Sequence, residues 1–247
     1  MPKDYRKVAA IILAAGKGVR MKADFPKVLH EIDGKPMICY LADTLSDINL
    51  ERVLVVVGFK KELVEKALKD YDFEFVVQER QLGTGHAVMM TKESLVDFSG
   101  DILVLLGDVP FLRKETILKL MQEHKKRSAV ATVLTSVPPD PTGYGRVIRQ
   151  ANGLVQKIVE QKDTSPEERI VSEINTGTMI FRKSELFEAL NLINNNNVQG
   201  EYYLTDLMEV FLKQGITTAA FQTDDYREAL GINSKQQLEE LRKVYNM

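Results

Sequence analysis

Three cations, Lys17, Arg20 and Lys27, fall within eleven positions of one another, directly after the apolar run Val8-Ala9-Ala10-Ile11-Ile12. The segment that opens this stretch, LAAGKGVRM from Leu13 to Met21, holds two small residues and two glycines where a turn needs only one glycine. Leu13–Gly16 lies at the carboxyl end of an expected parallel strand, the side on which such sheets bind ligands. Ala14, Ala15 and Gly16 carry little or no side chain, so a ligand can approach their main-chain N–H groups. A loop of exposed N–H groups attracts anions. Lys17 and Arg20 add charge, and an arginine can grip phosphate oxygens bidentately. Lys27 follows Pro26, whose ring stiffens the backbone before it, and offers a point charge. Neither G-x-G-x-x-G nor a Walker A pattern is present, so nicotinamide-dinucleotide and P-loop ATPase chemistry lose support. On spacing alone, an ordinary strand–turn–helix with solvated cations also accounts for these residues.

Further along, Gln78 to His86 reads QERQLGTGH. A glutamine amide has a donor and an acceptor, which suits the edge of a nucleobase. Gly83 and Gly85 let a base lie close to the backbone, and Thr84 has the alternative role of capping the helix that follows. His86, near that helix start with no carboxylate or cysteine close by in sequence, is expected to be structural. Leu106-Gly107-Asp108-Val109-Pro110 ends another apolar run. A carboxylate there is placed to hold Mg²⁺ beside a phosphate, although an aspartate in a turn before proline is equally ordinary. In the second half, Gly145, Glu160 and Asn175 supply the main-chain, carboxylate and amide groups that read sugar hydroxyls. Each alone is a routine loop residue. Asn233, in Gly231-Ile232-Asn233, precedes a final helix.

The elements that must position these groups follow from periodicity. Val8–Leu13, Arg52–Val57, Phe73–Val77 and Asp101–Leu106 read as buried strands. Between them, Pro36–Leu45 (Met37, Tyr40, Leu41 and Leu45 inward), Lys60–Tyr71 (Leu63, Val64, Ala67 and Leu68 inward), His86–Phe98 and Lys114–Arg127 read as helices. This alternation implies βαβ units. After residue 128 the pattern shifts to strands at Ala129–Thr135, Arg146–Arg149, Leu154–Glu160 and Thr178–Phe181, with helices at Ser184–Asn191 and Glu201–Gln214. Ser234 with Gln237 makes a capping box for the last helix. The expectation is an α/β fold: a central mixed, mostly parallel sheet flanked by helices, with a smaller added β region in the second half. One domain is expected over 1–233, with a nucleotide-binding lobe at 1–127 and a sugar-binding lobe at 128–233, then a helix at 234–247.

Bulk properties bound the rest. The 247 residues suffice for one large domain. A net charge of −2 argues against a nucleic-acid partner. Cys39 is the one cysteine, which rules out an internal disulfide and suits a reducing cytoplasm. The apolar runs are too short to span a bilayer, and the charged MPKDYRK lacks the apolar core of a signal peptide.

Taken in order, LAAGKGVRM, PKVL, QLGTGHA, GDVP, DPTGYGR, EQKD, EINTG, GEYYLTD and GIN resemble the uridyltransferase domain of the bacterial bifunctional N-acetylglucosamine-1-phosphate uridyltransferase/glucosamine-1-phosphate acetyltransferases. The resemblance runs over essentially the whole chain. It implies a Rossmann-like nucleotidyltransferase fold and Mg²⁺-dependent synthesis of UDP-N-acetylglucosamine, a cell-wall precursor, from UTP and N-acetylglucosamine 1-phosphate. Carried over by position, Leu13, Ala14, Ala15, Gly16 and Lys17 would contact the nucleotide. Arg20 and Lys27 would act on its phosphates, and Gln78, Gly83 and Thr84 would read uracil. Asp108 and Asn233 would hold Mg²⁺. Gly107, Gly145, Glu160 and Asn175 would surround the nucleotide sugar. Where the family often has an aromatic residue before the Gly-Asp pair, this chain has Leu106. The family's longer members continue into a left-handed β-helix of hexapeptide repeats that carries acetyl transfer and trimerisation. These 247 residues hold no such repeat, so neither property is carried over and the oligomeric state stays open. The alternatives are another sugar-1-phosphate nucleotidyltransferase, using glucose 1-phosphate or dTTP, and a non-catalytic sugar-nucleotide sensor.

Overall fold

The computed structural model describes residues 7–18, 24–232, 237 and 239. A nine-stranded sheet forms its centre. The first strand, β1 (Val8–Leu13), lies between β4 (Arg52–Val57) and β6 (Asp101–Leu106) and runs parallel to both. β5 (Glu74–Val77) extends the sheet in parallel beyond β4. On the other side, β10 (Ile174–Arg182) runs antiparallel to β6 and to β7 (Ala131–Ser136), and β11 (Thr218–Gln222) runs parallel to β7 at the edge. A hairpin of β8 (Arg146–Arg149) and β9 (Val155–Val159) branches from β10 at Ile174. A separate small hairpin pairs β2 (Glu31–Ile32) with β3 (Lys35–Pro36).

Strict alternation along β1, β4 and β6 feeds two cores. Ala9, Ile11, Leu54, Val56, Ile102 and Val104 face one side, where α3 (Thr84–Met89), α6 (Lys183–Ala189) and α7 (Leu207–Lys213) pack. Ala10, Ile12, Val55, Val57, Leu103 and Leu105 face the other, under α1 (Met37–Ser46), α2 (Lys61–Ala67) and α4 (Lys114–Lys126). Burial on both faces explains why these strands are near-continuous apolar runs. α5 (Pro166–Arg169) is a single turn closed by a capping box between Ser165 and Glu168.

Several elements differ from the sequence expectation. The helix expected over His86–Phe98 stops at Met89, and a short 3-10 turn, Glu93–Leu95, follows it. Fully buried Thr91 turns its hydroxyl back onto the Val88 carbonyl at 2.7 Å, which takes the acceptor that would continue the ladder. The helix expected from Glu201 begins only at Leu207, after a 3-10 turn at Leu204–Asp206. The backbone before it is used elsewhere: Tyr202 N–H donates to Leu82 O, and Tyr202 O accepts from Gly85 N–H, both at 2.8 Å. α2 is shorter than expected, and Leu63, expected inward, is exposed. β11, α5 and the β2–β3 hairpin were not expected. The capping box at Ser234 lies outside the described residues.

The irregular strand is β10. Its register against β7 shifts between Asn175 and Met179, and Gly177 within that bulge has φ +82°. Leu106 at the end of β6 fills the space a side chain at 177 would need. Gly177→Ala therefore meets both a left-handed backbone penalty and overpacking, an expected loss of about 2–4 kcal/mol. Denaturant unfolding measures it. Adding Leu106→Ala should recover part of the loss, and full additivity of the two changes would show that the steric account is wrong.

Candidate active site

The chain order moves outward from β1 through β4 to β5, then returns to the opposite side of β1 at β6. That reversal leaves a crevice outside the carboxyl ends of β1 and β6, the place where open α/β sheets bind ligands. Two cavities open there. One, of about 340 Å³, takes its wall from Leu13–Gly16, Lys27, Gln78, Gln81, Gly83 and Glu201. The other, of about 180 Å³, lies against Tyr144, Gly145, Glu160, Asn175 and Thr205. Leu13, Thr84, Leu106 and Asp108 line both, so the cavities share one partition.

Lys27 and Asp108 form an ion pair at this junction, with side chains 13% and 16% exposed. The two residues are 81 positions apart, and the β1–β6 pairing makes their meeting possible. A partly desolvated pair of this kind strengthens as water is excluded. Arg20 and Asn233 lie outside the described residues.

The remaining expected residues divide by what their polar atoms do. Ala14, Ala15 and Gly16 line the larger cavity, and Ala14 N–H continues the β1–β4 ladder by donating to Val56 O at 2.8 Å. Lys17 lines neither cavity, and its ammonium stands 5.2 Å from the centre of the Phe59 ring. Gly107 also lines neither, and its N–H donates to Leu13 O at 3.0 Å, tying β6 to β1. Gln78 lines the larger cavity but is nearly buried. Its amide nitrogen donates to Gly83 O at 3.1 Å and lies 2.9 Å from Nδ1 of His86. Burial first, then Arg80, lowers the His86 pKa, so the ring is neutral and able to accept. This agrees with the structural role expected for His86.

Thr84 is the first residue of α3, and no side chain caps that helix. The Thr84 hydroxyl instead accepts from Leu204 N–H at 3.0 Å. Gly83 has φ +106°, and a β-carbon there would stand 2.6 Å from Tyr202 O, so only glycine permits this contact between the two loops. Gly145 accepts from Asn175 N–H at 2.9 Å. The Asn175 side-chain oxygen accepts from Gly177 N–H at 3.0 Å, so the β10 bulge orients Asn175 at the smaller cavity.

Glu160 accepts from the Thr205 hydroxyl at 3.0 Å. Burial raises its pKa, the Thr205 bond opposes that, and Asp163 and Glu201 add to it. Burial likewise raises Glu201. Asp206, behind the same wall, is pushed up to about 6 by burial, with Glu160, Glu209 and Asp163 adding like-charge repulsion. Gln81, Glu201, Thr205 and Tyr144 were not singled out from sequence. All four stand inside quoted motifs, Gln81 in QLGTGHA, Tyr144 in DPTGYGR, and Glu201 and Thr205 in GEYYLTD, but none was given a role of its own.

Set on this geometry, the fold and crevice define a nucleotide-binding α/β transferase architecture. The chain belongs to the MobA-like NTP transferase domain family, whose pattern it matches over residues 10–176. It is 50% identical over 235 residues to the "Bifunctional protein GlmU" of Streptococcus mutans, covering 95% of this chain and 51% of that protein. The protein of the same name from Bacillus subtilis is 48% identical over 226 residues, covering 92% and 49%. These relatives bear out the resemblance drawn from the motifs, and the chain spans about half their length. A crystal structure of UDP-glucose pyrophosphorylase complexed with UDP-glucose superposes with a TM-score of 0.77 at 20% identity, over 96% of this chain and 98% of that one. It shares the fold, a mixed, mostly parallel sheet flanked by helices. No helix among the described residues is long and apolar enough to cross a membrane.

Asp206 generates a pH test. Its folded-state pKa of about 6 lies above the ordinary 3.8, so between these values the native state binds more protons than the unfolded chain. Stability then falls as pH rises through that window. Asp206→Asn, which mimics the protonated form, should raise Tm at pH 8 and leave it unchanged below pH 4. Equal Tm values for variant and wild type at pH 8 would remove the assignment.

Proposed function

We propose that the chain transfers UMP from UTP to N-acetylglucosamine 1-phosphate, releasing pyrophosphate. The larger cavity takes the nucleotide and the smaller one takes the sugar. The lobes at 1–127 and 128–233 supply most of each side, with Glu201 reaching back across. The observation that carries this reading is the shared partition: Asp108 and its partner Lys27 stand where two cavities of different chemistry meet.

Gln78 supports a uracil-type base. With its amide nitrogen committed to Gly83 and His86, the oxygen is what it can offer a ligand. An acceptor suits the N3–H of uracil or thymine and not the N3 lone pair of cytosine. The acidic and amide groups of the smaller cavity, Glu160 and Asn175 with the main chain at Gly145, suit sugar hydroxyls and an acetamido group. The cell-wall role and a cytoplasmic setting follow from the same reading.

The sugar phosphate is an anion at neutral pH, so no strong general base is needed. Its oxygen attacks the α-phosphorus of UTP, a P–O bond forms, and the bond to the β-phosphate oxygen breaks with its electron pair on pyrophosphate. Catalysis is placement and charge relief. The nucleotide cavity holds the α-phosphate against the small residues after β1, and Lys27 neutralises charge there. Among the described residues no cluster of three or more His, Cys, Asp or Glu could cage a metal. A single carboxylate beside substrate phosphates fits Mg²⁺, which keeps waters and often takes only one or two protein carboxylates. Asp108, together with Asn233, would hold it, and the ion would supply further neutralisation of the two phosphates.

Pyrophosphate release measured over UTP, dTTP and CTP against N-acetylglucosamine 1-phosphate and glucose 1-phosphate, with and without Mg²⁺, tests the reading. UTP with the N-acetyl sugar should dominate. Preference for glucose 1-phosphate or dTTP would replace it with the neighbouring transferase, and tight UDP-sugar binding without turnover would replace it with a sensor. Asp108→Asn should lower turnover by about 10²-fold or more, the scale of one lost electrostatic contact.

A further inference from the structure

Glu228 is a carboxylate 2% exposed that lines neither cavity and has no part in the chemistry above. It is well satisfied. One oxygen accepts from the Thr116 hydroxyl at 2.8 Å and from the Thr223 hydroxyl, and the other accepts from Arg113 N–H at 3.1 Å. Arg113 is the N-cap residue of α4 and makes no side-chain cap, and Thr116 lies in the first turn of that helix. The helix start is thus capped by a carboxylate from a segment more than a hundred residues later, with its charge at the favourable end of the dipole.

Four residues on, the same segment grips the same loop again. Ile232 N–H donates to Asp108 O at 3.0 Å. The Ile232 side chain is fully buried against Ile32 and Met37. The loop between β6 and α4 is therefore held at both ends: at Asp108 by Ile232 and at Arg113 by Glu228. The strap also meets the smaller cavity, since the Tyr144 hydroxyl donates to Gly231 O at 3.3 Å.

We propose that Glu228 is a positioning residue: through the strap over residues 223–232 it clamps the loop that carries Asp108 and sets that carboxylate at the junction of the two cavities. For its catalytic consequence this rests on the function proposed above. For its structural part it does not.

Glu228→Gln keeps the size of the side chain and replaces one acceptor by a donor, which opposes one of the donors around it. In this variant the Ile232 amide and the amides of residues 107–109 and 111–113 should exchange hydrogen at least 10-fold faster. Those of β1 and β4 should stay protected. Half-saturating Mg²⁺ should rise at least 5-fold and kcat should fall at least 10-fold, while affinity for UDP measured without metal stays within 2-fold. Unchanged Ile232 exchange overturns the clamp. So does a loss of β1 protection and UDP affinity in step with the rest, because the carboxylate would then only hold the fold together. If Glu228→Gln does not fold, Thr223→Val, which removes one donor and leaves the carboxylate, is read by the same exchange and UDP measurements. If the wild type makes no UDP-sugar, the proposed function fails while hydrogen exchange and equilibrium binding of Mn²⁺ still decide the clamp.

Discussion

Two parallel neighbours, β1 and β6, end side by side, and nearly everything at the rim follows from that. Their register pairs Leu13 with Leu106, so the residues after each strand emerge at one level. Gly107 N–H on Leu13 O extends the pairing one step beyond the strands. The small residues on the β1 side leave room, and the β6 side supplies Asp108. Because β4 and β6 flank β1 on opposite sides, no helix can cover the gap between the two departing loops. A cleft there is a consequence of strand order and not of any one side chain. Lys27 then crosses from the β1 side to the β6 side and gives the two loops a common charge centre.

The second half adds one antiparallel strand in a decisive place. β10 packs between β6 and β7, so the sheet is continuous across the expected lobe boundary near residue 127. The cavities are therefore fixed to each other by backbone pairing rather than by a hinge. The bulge at Asn175–Gly177 ends the regular ladder where β10 passes the end of β6, and it turns Asn175 to the smaller cavity. Many polar groups at the rim frame the site. The Thr84 hydroxyl and the main-chain bonds of Tyr202 to Leu82 and Gly85 join two loops, and Gln78 with His86 braces the turn between β5 and α3. Such committed groups pre-organise the groups left to meet a ligand, because little remains to be ordered on binding.

The strands β1, β4 and β6 were legible because burial on both faces writes an apolar run that few other elements share. The glycine-rich turns and Asp108 were legible because each directly follows an apolar run that reads as a buried strand. Helix lengths at α3 and α7 were not, since Thr91 and Tyr202 redirect hydrogen bonds through tertiary contacts that periodicity does not encode. β11 has only Ala219, Ala220 and Phe221 as apolar residues and owes its place to pairing with β7. Lys17 reads as a phosphate ligand by charge and spacing, and its place over the Phe59 ring depends on a tertiary contact that spacing does not encode. Thr205 and Glu228 were given no role of their own for a simpler reason: each is a single polar residue that meets a partner 45 or more positions away.

Charge is unevenly divided between the two cavities, and that division bears on orientation. Glu160 lines the smaller cavity with Asp163 and Asp206 behind it, and repulsion among these carboxylates is part of why the pKa values of Glu160 and Asp206 rise. The phosphate end of a sugar phosphate is repelled from such a wall, whereas neutral hydroxyls and an amide are welcome there as donors. Lys27 stands in the larger cavity, paired with Asp108 on the shared partition. Under the proposed function, a sugar phosphate entering the crevice would be turned with its sugar inward and its phosphate toward the junction. The same field would hold the nucleotide of that reading, at the loop after β1, with its phosphates at that junction. On that reading the acidic character of the smaller cavity, ill suited by charge to an anionic substrate, is what would set the direction of approach.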